Sequence, residues 1–381
     1  MITLITGAVV VAAGCSSSAS KSKTIADSGK TTTVSISLTP QGCAAKPAKV
    51  VTGAVQFNVT NKDASAVTEA ELRTSNGSKI LGEQENLTPG LSGGFDLTLA
   101  PGSYELNCPG ASQEHWKFTV TGKSTEASWQ SNPQLASAVR GYTTYINQQT
   151  TDLVSSSQTF CKAIDAGNLN RAKILYPKTR VYYERIEPVA EIWGTLDTQI
   201  DGRWENPVTV KSQFTGFHRL EQLMWSDNTL TGAPALCSGL IKHEQQLLTL
   251  VKRAQYNPLE LASGATDLVN EAATSKISGE EERYSNTDLP VFKANVDGAM
   301  EVVTLLTPYL QKKDPSLLTQ IKQRNAAVLT ALSKYKASPG YDDTGYVEYS
   351  TVLDAQRRQL SSSVNALAET LSKVSSQVGT A

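Results

Sequence analysis

The chain of 381 residues is poor in the side chains that soft metals and redox copper require. It contains 3 histidines and 3 methionines, whereas a copper electron-transfer site combines imidazoles, a thiolate and usually a methionine. Net charge is nearly absent, because 35 lysines and arginines face 36 aspartates and glutamates, which excludes the basic surface of a nucleic-acid binder. We therefore expect any metal site to consist mostly of carboxylates.

Long hydrophobic runs are lacking after the first residues, so no membrane-spanning helix is expected in the mature chain. Residues 1–14 are mostly apolar and end in small side chains before Cys15, and a Ser-rich stretch follows. This pattern resembles a bacterial lipoprotein signal peptide, which predicts removal of residues 1–14, lipid attachment at Cys15 and a flexible tether over residues 15–30. The protein is thus expected to be exported and anchored at the extracytoplasmic face of the cell membrane.

Four cysteines remain once Cys15 carries lipid, an even number in a compartment where disulfides form. The pairing that keeps each bond within one half of the chain joins Cys43 to Cys108 and Cys161 to Cys237. We interpret Cys161 and Cys237 as a structural disulfide. Cys43 and Cys108 are open to two interpretations, a second disulfide or metal ligands.

The hydrophobic pattern divides the chain into two halves and predicts a multidomain fold, β followed by α. Over residues 31–122 apolar and polar side chains alternate between turn-forming residues, which predicts a β-sandwich of short strands. Over residues 133–381 the apolar side chains recur with helical spacing, which predicts an all-α bundle. Residues 123–132, which begin with a small and polar stretch, are interpreted as a linker.

Paired acidic side chains mark the helical half. His218 and Glu221 are three residues apart, so on a helix they share one face and can reach a single ion. Such pairs usually lie on a solvated surface, but apolar and aromatic neighbours here favour a metal site over that alternative. The candidate ligands are His218, Glu221, Glu184, Glu187, Asp197, Asp201, Glu280 and Glu281.

The β half offers a second, less specific set of candidate ligands. This half has one histidine and no methionine, which makes a type-one copper centre improbable. A disulfide with solvated carboxylates explains the set as well as a metal site does. Its members are Cys43, Cys108, Glu69, Glu71, Glu83, Glu85, Glu105 and His115.

Five stretches together resemble a known family. Residues 183–188 are YERIEP, residues 214–221 are FTGFHRLE and residues 275–289 are SKISGEEERYSNTDL. In the β half, residues 82–90 are GEQENLTPG and residues 99–108 are LAPGSYELNC. These stretches are similar to the EfeO family of bacterial Efe-type iron-uptake components, and the resemblance extends from about residue 31 to the C-terminus.

The resemblance implies a cupredoxin-like domain over residues 31–122 and an imelysin-like domain, of the four-helix-bundle type, over residues 133–381. It implies that iron, ferric in the first place and ferrous as the alternative, binds through the HxxE motif of His218 and Glu221 with neighbouring carboxylates. Copper or zinc is an alternative occupant of the second set. The implied partners are a membrane permease that receives the iron and a haem peroxidase-like protein.

The competing class is a metallopeptidase, because imelysin-like domains have been classed as peptidases through the HxxE motif. A zinc peptidase needs about three protein ligands and an open position for a water molecule. The helical half has only His218 and His243, and the HExxH motif is absent from the chain. The sequence therefore favours an iron-binding component that is not an enzyme, with a metallopeptidase as the alternative.

Overall fold

The structure is a computed structural model of the chain. It describes residues 31–75, 80–85, 87–122, 128–204 and 212–378. The predicted signal peptide (1–14), the predicted tether (15–30) with Cys15, and residues 123–127 of the predicted linker lie outside the described residues. Strands come first and helices follow, which confirms the predicted order of a β part (residues 31–122) and a helical part (residues 128–378).

The described residues of the β part form nine strands in two sheets. The strands are β1 (Thr32–Leu38), β2 (Ala45–Lys46), β3 (Lys49–Val51), β4 (Gly53–Asn61), β5 (Ala70–Thr74), β6 (Ile80–Gln84), β7 (Ser92–Leu99), β8 (Gly102–Asn107) and β9 (His115–Thr121). One sheet has the order β2-β1-β4-β7 and the other the order β3-β9-β8-β5-β6. Neighbouring strands are antiparallel except for β1 with β4 and β3 with β9, so both sheets are mixed.

The two sheets pack face to face around one apolar core. Phe57 of β4 stacks on Phe95 of β7 in its own sheet, with 4.8 Å between ring centroids. Phe57 also contacts Phe118 of β9 in the other sheet, at 5.5 Å. Cys43 and Cys108 form a disulfide in this core, where both are fully buried. The alternating pattern thus gives each sheet one apolar face, and the two faces meet.

Ten α-helices follow in the described residues of the helical part. They are α1 (Pro133–Asp165), α2 (Leu169–Glu184), α3 (Glu187–Ala190), α4 (Thr195–Asp201), α5 (Gly216–Trp225), α6 (Ala233–Val251), α7 (Pro258–Thr274), α8 (Asp288–Lys313), α9 (Pro315–Ser333) and α10 (Asp354–Val378). The side chains of Asn132, Asn257 and Asp314 accept hydrogen bonds from the first-turn N–H groups of α1, α7 and α9, and each precedes a proline. The polar capping residue and the proline that follows it together determine where each of these helices begins. Within the described residues, no helix has the length and apolar character needed to cross a membrane.

Helix α8 is central to the helical part, because it contacts two groups of helices. On one side it packs against α1 and α2, and α1 also packs against α6. On the other side α7, α8, α9 and α10 form a closed ring of contacts. Cys161 of α1 and Cys237 of α6 form a disulfide that joins two helices of the first group. Helix α8 thus belongs to the four-helix ring of α7 to α10 and also packs against α1 and α2.

The β part lies against the helical part through a few defined contacts. Strand β7 packs against α7, and β6 packs against the short 3-10 turn Glu191–Trp193 that precedes α4. The backbone N–H of Asp96 donates to the hydroxyl of Ser263 on α7, at 3.4 Å. These contacts place the end of the second sheet beside α4.

Candidate metal centre

Helices α2, α4 and α5 and the segment 276–282 bring most of the predicted ligands together inside the helical part. The start of α5 lies directly against the end of α4, because Gly216 has a positive φ of 73° and a side chain there would collide with the carbonyl oxygen of Ile200. Glycine is the residue that adopts this backbone conformation without strain. The close approach brings His218, in the first turn of α5, next to Asp201 at the end of α4.

His218 is buried between three carboxylates. Its Nδ1 lies 3.1 Å from Oε2 of Glu221, while its Nε2 lies 3.5 Å from Asp201 and 3.6 Å from Glu281. Nε2 has no hydrogen-bond partner among the described residues. The other oxygen of Glu221 accepts the backbone N–H groups of Tyr284 and Ser285, at 2.9 and 2.7 Å. The two backbone N–H groups thus hold Glu221 in place, and Glu221 orients the imidazole ring of His218. Nε2 of this ring lies between the carboxylates of Asp201 and Glu281.

Glu184 and Glu187 form an adjacent group. The chain turns between α2 and α3, and both carboxylates point to the interior, where they contact the ammonium group of Lys276. The side-chain amide of Asn295 on α8 donates to Glu184 at 3.0 Å and to Glu187 at 3.1 Å. A lysine and an amide therefore hold this predicted pair together.

Arg180 is fully buried at the centre and links the two groups. Its Nε donates to Glu282 and its Nη2 to Glu281, both at 2.9 Å, and it also pairs with Glu184 and Asp201. We call the whole network the buried cluster. Its carboxylates are Glu184, Glu187, Asp201, Glu221, Glu281 and Glu282, and its permanent cations are Arg180, Arg203 and Lys276. Carboxylates outnumber these cations, an excess that favours a further cation.

Burial and neighbouring charge shift the pKa values in the buried cluster. Burial raises the pKa of Asp201 to about 7, although Arg180 opposes this. In His218 burial acts to lower the pKa, but Asp201 and two glutamates raise it to about 10. Burial acts to raise the pKa of Glu281, but Lys276 and other cations hold it well below its usual value. Near neutral pH the cluster therefore contains protons that a bound metal ion would displace.

Three groups of ligand atoms in the buried cluster lie close enough to hold one ion. In each group the atoms are within 4.8 Å of one another. The groups are Asp201 with His218 and Glu281, His218 with Glu221 and Glu282, and Glu184 with Glu187 and Glu281. One imidazole with several carboxylates is a donor set that suits iron and other metals that accept both nitrogen and oxygen ligands.

Two predicted ligands lie outside these groups. Glu280 is partly exposed, whereas the following two glutamates point inward. Asp197 accepts a hydrogen bond from the hydroxyl of Tyr183 and faces the β part. The i, i+4 spacing of Asp197 and Asp201 thus places one carboxylate at each end of α4 in a different environment.

Five side chains of this region are absent from the predicted ligands: Glu282, Arg180, Arg203, Lys276 and Asn295. Arg180 lies four residues before Glu184 on α2, and that spacing was a usable signal for an ion pair. Lys276 and Asn295 gave no local signal, because they are 92 and 111 residues from Glu184 in the sequence.

A second acidic group lies where the β part meets α4. Glu71 of β5 lies opposite Glu83 of β6 and Asn107 of β8, and ligand atoms of Glu69, Glu71 and Glu83 lie within 4.8 Å of one another. Together with Glu85 and Asp197 these glutamates line a cavity of about 270 Å³, which we call the acidic cavity. Burial, followed by the charge of neighbouring carboxylates, raises the pKa of Glu85 to about 8 and those of Glu69 and Glu83 well above their usual values.

The other four predicted members of the second set lie elsewhere. Of the two interpretations of Cys43 and Cys108, the structure has the disulfide, and a bonded cysteine lacks the thiolate that binds a metal. Glu105 and His115 pair with each other at 3.2 Å, and the histidine side chain is 59% exposed. The structure thus does not bring the eight residues together, and the glutamates at 69, 71, 83 and 85 are the members that lie around one cavity.

Comparison with known proteins gives a consistent family. A sequence model described as imelysin, which carries a peptidase family label, matches residues 138–374. The iron uptake system component EfeO of Escherichia coli strain K12 is 36% identical over 350 residues, 91% of each chain. The proteins of the same name in Shigella flexneri and in Escherichia coli O6:K15:H31 strain 536 match with the same identity and coverage. The chain belongs to the EfeO family of iron uptake system components, and its helical part contains the imelysin region.

Proposed function

We propose that this protein is a membrane-anchored, extracytoplasmic iron-binding component that captures ferric ion in the buried cluster and delivers it to a membrane permease. The observation that carries the proposal is that Nε2 of His218 is buried, makes no hydrogen bond to the described residues and lies 3.5 Å from Asp201 and 3.6 Å from Glu281. An imidazole nitrogen between two buried carboxylates holds a proton in the iron-free protein, and a metal ion can take the place of that proton.

Ferric ion fits this donor set better than softer metals do. It is a hard cation that prefers oxygen ligands, and the buried cluster supplies six carboxylates and one imidazole. We assign Asp201, His218 and Glu281 as the first ligands. Glu221 holds the ring through Nδ1, a role that typically raises the basicity of a histidine ligand. Glu184 and Glu187 form the neighbouring group with Glu281.

The remaining roles follow the resemblance. Lipid at Cys15 would anchor the protein at the membrane, beside a permease that takes the iron and a haem peroxidase-like partner. Within a cupredoxin-like β part, Glu69, Glu71, Glu83 and Glu85 would hold a second ion, with copper or zinc as alternatives to iron. The names of the relatives, components of an iron uptake system, support a role in such an assembly.

A metallopeptidase is the alternative function, and the family label of the imelysin model is the observation in its favour. Peptide hydrolysis requires a metal-bound water that a peptide carbonyl can reach. His218 and Glu281 are at most 2% exposed, and Arg180 lies between the carboxylates. This geometry favours capture of an ion over hydrolysis of a peptide.

The test is equilibrium titration of soluble protein starting at Ser16 with citrate-buffered ferric ion. We expect His218→Ala to abolish tight binding and Glu221→Gln to weaken it about 10- to 100-fold, as loss of an orienting partner does. His243→Ala, which removes the other histidine of the helical part, is the matched control and should bind like the unaltered protein.

Two results would count against iron capture. Unchanged binding of ferric ion by His218→Ala would mean that the buried cluster is not the iron site. Binding of zinc alone, with one ion per chain and no uptake of ferric ion, would favour the peptidase alternative, and a screen of peptide substrates would then follow.

A further inference from the structure

We propose that the ammonium group of Lys276 occupies the position of a second metal ion in the buried cluster, so that the cluster takes up one ferric ion and not two. This inference rests on the proposed function, because it assumes that the first ion binds beside His218. It assigns Glu184 and Glu187 to the lysine, and it assigns to Lys276 the control of how many ions the cluster carries.

The buried cluster has the layout of a site for two ions, because Glu281 belongs to two groups of ligand atoms. One group joins it to Asp201 and His218, and the other joins it to Glu184 and Glu187. In each group the ligand atoms lie within 4.8 Å of one another. Helix bundles that bind two metal ions use glutamates and histidines that project inward from several helices. The shared carboxylate therefore gives the buried cluster two neighbouring positions for a cation.

Lys276 lies in the second of these groups and contacts all three of its carboxylates. Its Nζ lies 3.2 Å from Oε2 of Glu184 and 3.9 Å from Oε2 of Glu281, and it donates to Oε1 of Glu187. The residue is fully buried and begins a 3-10 turn, Lys276–Ser278, between α7 and α8. The ammonium group therefore has the contacts that a metal ion bound by this group would have.

The side-chain amide of Asn295 adds further N–H donors to the second group. Its Nδ2 donates to Oε2 of Glu184 at 3.0 Å and to Oε2 of Glu187 at 3.1 Å. The two oxygens of Glu187 thus accept from different donors, Oε1 from Lys276 and Oε2 from Asn295. A metal ion that bound here would leave a buried ammonium group without its partners, which is strongly unfavourable. The second group is therefore closed to an ion while Lys276 is present.

The first group differs in its imidazole. Arg180 pairs with the carboxylates of Asp201 and Glu281, whereas Nε2 of His218 makes no hydrogen bond to the described residues. A metal ion can take the place of the imidazole proton, which then leaves to solvent. The side chain of Lys276 is attached to the chain and remains between its three carboxylates. We therefore expect one ion in the buried cluster, beside His218.

The experiment counts the ferric ions that the full soluble chain binds at saturation. Protein starting at Ser16 is equilibrated with citrate-buffered ferric ion, separated from unbound iron by gel filtration and analysed for iron per chain. We expect Lys276→Met to bind one ferric ion more than the unaltered protein, because the three carboxylates then lack the lysine. Lys242→Met, which removes an exposed lysine on α6, is the matched control and should bind the same number as the unaltered protein.

A double variant locates the additional ion. Glu187→Gln added to Lys276→Met removes one ligand of the second group, so the double variant should bind the same number of ions as the unaltered protein. An additional ion that persists in the double variant lies elsewhere and overturns the proposal. A folded Lys276→Met that binds no additional ion also overturns it.

Glu187→Gln alone tests the inference in a chain that keeps Lys276, so its result does not depend on whether Lys276→Met folds. Glutamine has a similar shape, and its amide oxygen can still accept from Lys276. We expect the variant to bind as many ferric ions as the unaltered protein, with an affinity changed by less than about tenfold. Loss of one bound ion would make Glu187 a metal ligand and overturn the proposal. If the unaltered chain binds no ferric ion, the proposed function itself fails, and this result is distinct from the others.

Discussion

The buried cluster and the acidic cavity both contain several carboxylates, but they differ in the number of positive charges beside those carboxylates. In the buried cluster, Arg180, Lys276 and Arg203 pair with the acids, and the backbone fixes Glu221. In the acidic cavity, Arg73 alone among the lining residues carries a positive charge. Built-in cations offset the carboxylate charge in the first arrangement, whereas in the second burial and neighbouring carboxylates raise the pKa values of Glu69, Glu83 and Glu85, so that these groups keep protons. The two regions thus offset buried carboxylate charge by different means, mainly by fixed cations in the buried cluster and mainly by protons in the acidic cavity.

The largest expected effect comes from removing the central cation of the buried cluster. Arg180→Met leaves buried carboxylates without their partner, and breaking a buried ion pair on one side costs about 3–5 kcal/mol. Arg73→Met, at a partly exposed position in the acidic cavity, should cost less than about 1 kcal/mol. Urea unfolding of the iron-free protein measures both. Equal losses for the two variants would mean that the two acidic regions do not differ in this way.

The β part and the helical part each contain one disulfide, and the two disulfides can be compared. They close loops with sequence separations of 65 residues in the β part and 76 residues in the helical part. Replacing either pair by alanine should lower the free energy of unfolding by about 2–4 kcal/mol, which urea unfolding measures. We also expect Cys43→Ala with Cys108→Ala to leave metal binding at the acidic cavity unchanged. If the double variant folds but no longer binds metal at the acidic cavity, the interpretation of the two cysteines as metal ligands would be favoured again.

Local patterns in the sequence predicted the elements that carry the sites. Alternation of apolar residues is sufficient to predict strands such as β1 and β4. The three-residue spacing of His218 and Glu221 is sufficient to predict that both lie on one helix face. Both patterns depend only on neighbours within a few residues. The resemblance to EfeO then supplied the family, which the comparisons confirm.

What the sequence did not predict depends on tertiary packing. Lys276 reaches Glu184 across 92 residues, and Asp197 and Asp201, predicted as one pair, face two different regions. No periodicity encodes which sheet edge will cover α4. Cations inside an acidic site are also unexpected from composition alone, because lysine and arginine are almost never fully buried unless they are paired.

A third kind of buried carboxylate, one without an ion pair in the described part of the chain, occurs on α6. Glu244 of α6 is fully buried, accepts a hydrogen bond from Ser157 at 2.6 Å, and forms no ion pair within the residues that the structure describes. Burial raises its pKa well above the usual value, although Ser157 opposes this. The folded state therefore keeps a proton that the unfolded chain releases above about pH 4.3, so the stabilising contribution of the protonated group is lost as pH rises.

Glu244→Gln removes this titration. One unit of pKa shift corresponds to about 1.4 kcal/mol, so the variant should be more stable than the unaltered protein by at least about 1 kcal/mol at pH 8 and similar to it at pH 4. Thermal unfolding over this pH range measures the difference. Glu369→Gln, at an exposed position on α10, is the control and should show no such trend. A difference that does not grow with pH would mean that Glu244 is ionised in the folded protein.

The smallest effect is expected at Glu105, which shares a sheet with the glutamates of the acidic cavity but lies in an exposed pair with His115. Exposed ion pairs contribute little, so Glu105→Gln should change the free energy of unfolding by less than about 0.5 kcal/mol and leave metal binding at the acidic cavity unchanged. Glu83→Gln removes a carboxylate that could bind a metal ion in the acidic cavity and should weaken metal binding there. Equal metal binding by the two variants would mean that Glu83 and the other glutamates of the acidic cavity do not form the second ion site.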